Sequence, residues 1–254
     1  MCSIILLRRP THPWPLLVAA NRDEMRDRPW RPPARHWPDR PEVMAGQDTL
    51  AEGSWLGVND HGVMAAILNR HGTLGPAPGK RSRGELVLEA LDHADAVEAA
   101  DALRHLDGRA YRPFNMVIAD NRDAWWLKHS GRPDGRIEAF PLPEGLSMLT
   151  AFDVNDSTHD PRIAAALPRF ASAPVPDPDN GDWRSWQMLL ADRTSPTDDD
   201  PRHALCFMTE KGFGTSSSSL IALPAIGTPA EVKPKWLFAA GAPDQVDYQP
   251  LSWR

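Results

Sequence analysis

Apolar runs in this chain arrive in adjacent pairs, and helix signals arrive in adjacent pairs too; strand and helix nowhere alternate singly. Cys2–Leu7 and Leu16–Ala20 flank Pro10, Pro13 and Pro15 and predict a hairpin. Trp55–Val58 and Val63–Leu68 flank the turn residues Asn59-Asp60-His61-Gly62. Asn115–Ala119 and Ala124–Leu127 flank Asp120-Asn121-Arg122-Asp123. Further strands are expected at Ser147–Phe152, Ala204–Met208, Ser219–Leu223 and Lys235–Ala239, and a Pro-rich connection over Arg28 to Pro41. Ser82-Arg83-Gly84-Glu85 has the form of a capping box, with Ser82 as N-cap, ahead of Leu86, Leu88 and Leu91. Asp95 and Glu98 open a second helix through Leu106. Asp160-Pro161 opens a third over Ile163–Phe170. Trp183, Trp186 and Leu190 recur at helical spacing and predict a fourth over Asp182–Ala191.

Hairpins and helix pairs predict antiparallel sheets with helices segregated to the outside, an α+β layering. A doubly wound nucleotide-binding sheet is disfavoured, since no G-x-G-x-x-G follows a strand. No linker divides the chain; Pro174–Asp182 and Thr194–Pro201 read as surface loops, so one domain over 1–254 is expected. The net charge of −6 leaves no basic surplus to displace phosphate counterions, which argues against a nucleic-acid partner. The two cysteines exclude a disulfide framework and a Cys-rich zinc site. No apolar run approaches the roughly 18 residues of a membrane span. The apolar run Ser3 to Leu7 is followed, not preceded, by Arg8 and Arg9, the reverse of an export signal, so a cytoplasmic protein with a small-molecule ligand or substrate is expected. Oligomeric state is not written in the sequence.

Familiar metal and nucleophile motifs are missing, which leaves Cys2. Removal of Met1 before a small side chain would place the α-amine of Cys2 beside its own thiol. A free α-amine has a pKa of about 7.7–8.0 and can activate a nucleophile on the same residue. Position alone favours the plainer reading, a small buried residue that opens a strand. Asn21-Arg22-Asp23-Glu24 follows the second apolar run, and hairpin pairing brings it to the start of the first, next to Cys2. Asp23 could hold or deprotonate an ammonium there; Arg22 could lower a thiol pKa or clamp a carboxylate. A charged turn is the plainer reading. Asn69 and Arg70 likewise end a strand, and Asn115 opens one; either Asn amide suits an oxyanion, or caps a strand end. Ser216–Ser219 reads as a polar strand edge, Asp198-Asp199-Asp200 as a solvated loop, not a calcium site, Cys206 as buried and inert, and Trp125-Trp126 as one ring in and one out.

These residues together resemble the NRDE domain family, whose eukaryotic namesake is Transport and Golgi organisation protein 2. The resemblance runs nearly end to end: Met1-Cys2, Asn21-Arg22-Asp23-Glu24 with Arg28-Pro29, Ala45-Gly46-Gln47-Asp48, Gly53-Ser54-Trp55-Leu56-Gly57-Val58-Asn59, Leu68-Asn69-Arg70, Ser82-Arg83-Gly84-Glu85-Leu86, Phe114-Asn115 and Phe213-Gly214-Thr215-Ser216. Ser216 stands where the family tends to have Arg, and Thr150-Ala151-Phe152 where a Ser-Asn pair is usual. The family in turn is similar to N-terminal nucleophile (Ntn) hydrolases of the bile-salt hydrolase and penicillin acylase type. That resemblance implies a four-layer α-β-β-α sandwich of two antiparallel sheets flanked by helix pairs. It also implies hydrolysis of a non-peptide C–N amide bond by Cys2, with Arg22, Asp23, Asn69 and Asn115 in the catalytic set. Asn21, Glu24, Trp55, Asn59, Arg70 and Arg83 would then be substrate-binding, and no metal or cofactor is required. Those hydrolases space Arg and Asp three apart, whereas Arg22 and Asp23 are adjacent and face opposite sides of a strand, so one of them points at Cys2. The alternative is a haem or lipid/acyl-CoA binding and trafficking protein on the same scaffold, with haem a candidate ligand through His61, His71 or Cys2. Ten Trp fit either an apolar pocket or an ordinary core.

Overall fold

The computed structural model describes residues 2–197, 200–229 and 232–253. Met1, whose removal is expected above, and Asp198 and Asp199 of the expected solvated loop lie outside them. The chain runs β1 (Ser3–Arg8), β2 (Leu16–Met25), β3 (Trp30–Ala34), β4 (Val43–Asp48), β5 (Leu56–Asn59) and β6 (Met64–Asn69). Then come α1 (Gly84–Leu91), α2 (Ala96–Arg104), β7 (Phe114–Ala119), β8 (Ala124–His129), β9 (Glu138–Pro141) and β10 (Gly145–Leu149). The chain closes with α3 (Pro161–Ser172), α4 (Arg184–Leu190), β11 (Phe213–Leu223), β12 (Lys235–Ala239) and β13 (Gln249–Pro250). Among the described residues no helix is long and apolar enough to cross a membrane.

Two compact units result, Met1–Arg28 with Pro143–Arg254, and Pro29–Leu142. The division is discontinuous in sequence, so no single linker marks it. The first unit holds a six-stranded antiparallel sheet, β10-β1-β2-β11-β12-β13. Ile5, Leu7, Leu17 and Ala19 alternate onto one face of it and pack with Ile163, Phe170, Trp186 and Leu190 of α3 and α4. The second unit holds a seven-stranded meander, β3 to β9 in chain order, whose core joins Val43, Ala65, Met116 and Leu127 to Leu86 and Leu91 of α1 and Leu103 of α2. The paired hairpins and paired helices of the sequence are therefore what each unit is made of.

The helix starts follow local chemistry in part. Asp95 caps α2 by accepting from the Val97 and Glu98 amides, and Asp160 caps α3 by accepting from the Arg162 amide, with Pro161 at the first helical position. The expected capping box does not form. Arg83 is the N-cap of α1 with no side-chain cap bond, Ser82 Oγ accepts from the Gly84 amide (3.2 Å), and Glu85 pairs with Arg81 (2.7 Å). A backbone contact decides this helix start instead: a Cβ on Gly53 would lie 2.5 Å from the Gly84 carbonyl carbon, and the Ser54 amide donates to the Gly84 carbonyl (3.0 Å). The two glycine motifs thus meet in space. Gly53→Ala is expected to cost about 1–3 kcal/mol through overpacking against backbone that cannot turn aside. Equilibrium urea unfolding reads it, and a loss under about 0.5 kcal/mol would show that the contact relaxes.

Three other expectations are corrected. Ala204–Phe207 is buried and Met208 half-buried, but the segment is not a strand; it makes only an isolated bridge, Met208 to Gly214. Its backbone bonds scatter, Cys206 N–H to the Asp192 carbonyl and the Phe207 carbonyl from Thr215 N–H, so no ladder forms. Ser216–Ser219 is no edge, because β11 pairs with both β2 and β12 and Ser217 to Ser219 are buried. The Ser218 hydroxyl finds an interior partner, donating to the Ala20 carbonyl (3.1 Å). The Pro-rich connection contains a strand, β3, which is an edge with a register shift between Arg31 and Ala34, and an edge tolerates the missing N–H groups of Pro32 and Pro33.

Candidate active site around Cys2

The hairpin register sets the site. β1 and β2 pair from Arg8↔Leu16 to Ser3↔Asn21, and continuing that register puts Cys2 against Arg22. Asn21-Arg22-Asp23-Glu24 is not a turn: it lies inside β2, with Asn21, Arg22 and Asp23 buried. The Asp23 amide donates to Cys2 Sγ (3.3 Å), and the thiol contacts the Asp23 carbonyl (3.6 Å). Burial, and then the negative charge of Asp23, push the half-buried thiol above its usual range, while Arg22 pulls the other way.

Strand alternation sorts the motif into two faces. Asn21 and Asp23 share the helix-packed face with Ile5 and Ala19; Cys2, Arg22 and Glu24 fall on the opposite face. Asn21 Nδ2 donates to the Leu190 and Leu205 carbonyls (2.9 Å each), tying the end of α4 and the following segment to β2. Asp23 Oδ2 accepts from Arg162 Nη1 (3.1 Å) and Asp23 Oδ1 from Thr215 Oγ1 (2.8 Å), all three residues being buried. Thr215 Oγ1 also accepts from the Phe207 amide (3.2 Å). On the other face Arg22 Nη1 donates to Ser216 Oγ (3.1 Å), which donates to the Arg22 carbonyl (3.1 Å); Glu24 stands 3.8 Å from Arg22 and 3.7 Å from Arg28. A bulge between Thr215 and Ser217 lets neighbouring residues of β11 serve both faces, Thr215 reaching Asp23 and Ser216 reaching Arg22. It is Arg22, not Asp23, that shares its face with Cys2; Asp23 meets the sulfur through its backbone.

The remaining expected site residues belong to the second unit. Asn69 and Asn115 are near neighbours, with Leu68 opposite Asn115 in the β6–β7 register. Asn115 is fully buried, and its Oδ1 accepts from Arg70 Nη1 (2.6 Å) and Trp126 Nε1 (3.1 Å). Arg83 Nη1 donates to the Thr73 and Pro113 carbonyls, and Thr73 Oγ1 donates to the Arg70 carbonyl, so Arg70, Arg83 and Asn115 form one connected group. Asn59 stands apart from it: Nδ2 donates to the Leu91 and His93 carbonyls and Oδ1 accepts from the His61 and Val63 amides. Trp55 packs edge-on against Trp30 at 5.7 Å. His61 meets Glu42 (3.1 Å), and Trp126 is buried beside a half-buried Trp125. Cys206 is fully buried; burial, then its hydrogen bond to Asp244, push its thiol up to about 12.

The sequence marks neither Arg162 nor Ser3 as a site residue, and Thr215 only as part of the Phe213–Ser216 motif. An Arg in the first turn of a capped helix reads as solvated, and its partners are 139 and 159 residues away in the chain.

Two solved structures match over nearly the whole chain. An N-acylethanolamine-hydrolyzing acid amidase ortholog from Caenorhabditis elegans matches 99% of this chain and 100% of its own, with TM-score 0.55 and 14% identity. A mutant of the conjugated bile acid hydrolase from Clostridium perfringens matches 100% of this chain and 97% of its own, with TM-score 0.51 and 13% identity. At such identities the likeness shows the fold, and the fold is the α+β sandwich of the Ntn hydrolases. A search among curated proteins finds no match. The family described as Transport and Golgi organisation 2 matches residues 1–159, and the chain belongs to that family.

Proposed function

We propose that the protein is an amidase-like hydrolase that uses Cys2 as an N-terminal nucleophile on a non-peptide acyl amide. One observation carries the reading: Cys2 Sγ lies 3.3 Å from the Asp23 amide, on a strand backbone anchored from behind by the buried Asp23–Arg162 pair. The Ntn-hydrolase fold supports it. Removal of Met1 frees the α-amine of Cys2. Sγ attacks the acyl carbon; the S–C bond forms as the carbonyl π pair moves to oxygen and the thiol proton passes to the α-amine. Collapse breaks the C–N bond, with that proton delivered to the leaving nitrogen. Water, deprotonated by the same amine, then cleaves the thioester and restores the thiol. Arg22, on the face of Cys2, favours the thiolate or clamps a substrate carboxylate.

Intact mass before and after iodoacetamide, with the adduct located by digestion, tests the reading. The expected result is loss of Met1 and a single adduct at Cys2. Its rate should still climb above pH about 8.5, the ordinary thiol range, because burial and Asp23 raise this thiol. Retained Met1, or a native Cys2 that resists labelling, overturns it. Ligand carriage then becomes the reading, tested by haem titration for a Soret band that a His61, His71 or Cys2 variant loses.

A further inference from the structure

We propose that Arg162 is a positioning residue of the Cys2 site, a clamp that joins Ser3, the neighbour of the nucleophile, to Asp23, the residue whose backbone holds the sulfur. The inference rests on the amidase reading for its consequence, and on geometry for its substance. Arg162 is 2% exposed, although it stands in the first turn of α3, where an Arg ordinarily reaches solvent. Its Nη1 donates to Ser3 Oγ (2.7 Å) and to Asp23 Oδ2 (3.1 Å). Its Nη2 donates to the Arg202 carbonyl, and its guanidinium lies 5.4 Å from the centre of the Phe207 ring. The Asp160 cap accepts from its amide (2.8 Å), so the backbone end is held as firmly as the head.

Ser3 Oγ and Asp23 Oδ2, which Arg162 holds, lie on the helix side of the sheet, while Cys2 and Arg22 belong to the opposite face. Arg162 therefore does not touch the sulfur. It acts on it from behind, by locking the backbones of the two residues that bracket the thiol, one on each strand of the hairpin end. An ion pair that only stabilised the fold would need Asp23 and no more. The bond to Ser3 Oγ is the additional feature, and it reaches the residue covalently attached to Cys2. Nη1 serves both partners while Nη2 holds the Arg202 carbonyl; a lysine keeps the charge but has no second nitrogen to brace the head, so the bridge is no longer fixed in place.

The test reads the thiol directly. Arg162→Lys keeps a cation for Asp23, and Ser3→Ala removes the other jaw; both are compared with the unmodified protein by alkylation of Cys2 at pH 8. Each is expected to slow alkylation about tenfold, since small misplacements at a reacting centre carry penalties of that order or more. The pH midpoint of labelling should rise by about half a unit as the Asp23 amide slips from Sγ and stabilises the thiolate less. The charged groups acting on the thiol, Asp23, Arg22 and the ammonium of the chain, are present in all the proteins compared. The double variant should be no slower than the worse single one, because both changes open the same clamp. Thermal melts by circular dichroism establish that each variant is folded; if Arg162→Lys is not, Ser3→Ala carries the test alone. Folded variants with unchanged alkylation rate and midpoint overturn the inference and leave Arg162 a structural ion pair. If Cys2 of the unmodified protein does not react with iodoacetamide, the amidase reading fails separately. The clamp is then read from the pH titration of the Cys2 ¹³Cβ resonance, where a midpoint unmoved by either change overturns it.

Discussion

Asp23→Ala should cost about 3–5 kcal/mol of folding stability, the loss typical of removing one partner from a buried ion pair. The reason is what remains. The Arg162 guanidinium, with 3% of its side chain exposed, would face an empty site, and Thr215 Oγ1 would lose the acceptor of its 2.8 Å hydrogen bond. For a domain of this size the unfolding midpoint falls by roughly 2–4 °C per kcal/mol, so a drop on the order of 10 °C is expected. Adding Arg162→Met should restore most of it, because an apolar side chain of similar length leaves no charge to strand. Differential scanning calorimetry on the single and double variants decides the matter. A single-variant loss below about 1 kcal/mol would mean that water reaches Arg162 and the pair is not dry.

On the proposed amidase reading, Cys2→Ala should abolish hydrolysis. With the nucleophile gone, kcat/KM on a panel of N-acyl amides is expected to fall at least about 10³-fold while the melt stays within a degree or two, since Cys2 lies ahead of β1 and only its sulfur is lost. Cys206→Ala is the control. Its thiol is fully buried, bonded to Asp244 and protonated at working pH, so turnover should be unchanged. Equal residual rates in the Cys2→Ala variant and the unmodified protein would remove the sulfur from the mechanism. Loss of rate in Cys206→Ala alone would move the chemistry elsewhere.

Much of the frame was legible locally. Short apolar runs flanked by Pro or by Asn- and Asp-rich turns mark β1, β2, β5, β6, β7 and β8, because strands buried on both faces read as continuous apolar runs and turns need those side chains. Asp95 and Asp160 announce α2 and α3, because a cap is satisfied within three residues. The failures share one cause: each depends on a partner far along the chain. Ser82 looked like a cap, but the approach of Gly53 to Gly84 sets that helix start. The serines of β11 looked like an edge, but two neighbouring strands enclose them. Ala204–Met208 looked like a strand, but its backbone partners, Asp192 and Thr215, lie on different segments.

The same division runs through the site. Pairing of two short runs across a Pro-rich turn brings Cys2 to the Asn21–Glu24 motif, and this follows from sequence alone, since a hairpin returns the chain beside its own start. The alternation of Arg22 and Asp23 onto opposite faces follows too, since the side-chain period of a strand is two. Which face belonged to which, and what waited there, was decided by tertiary structure. Helices α3 and α4 cover the face of Ile5 and Ala19, so Asp23 is the buried member of the pair and must find a cation; Arg162 supplies it from 139 residues away. A local pattern can say that a charge will need a partner, because desolvation is a property of the residue and its burial. It cannot name the partner, because that choice is made by whichever distant segment the packed fold delivers to the same dry place.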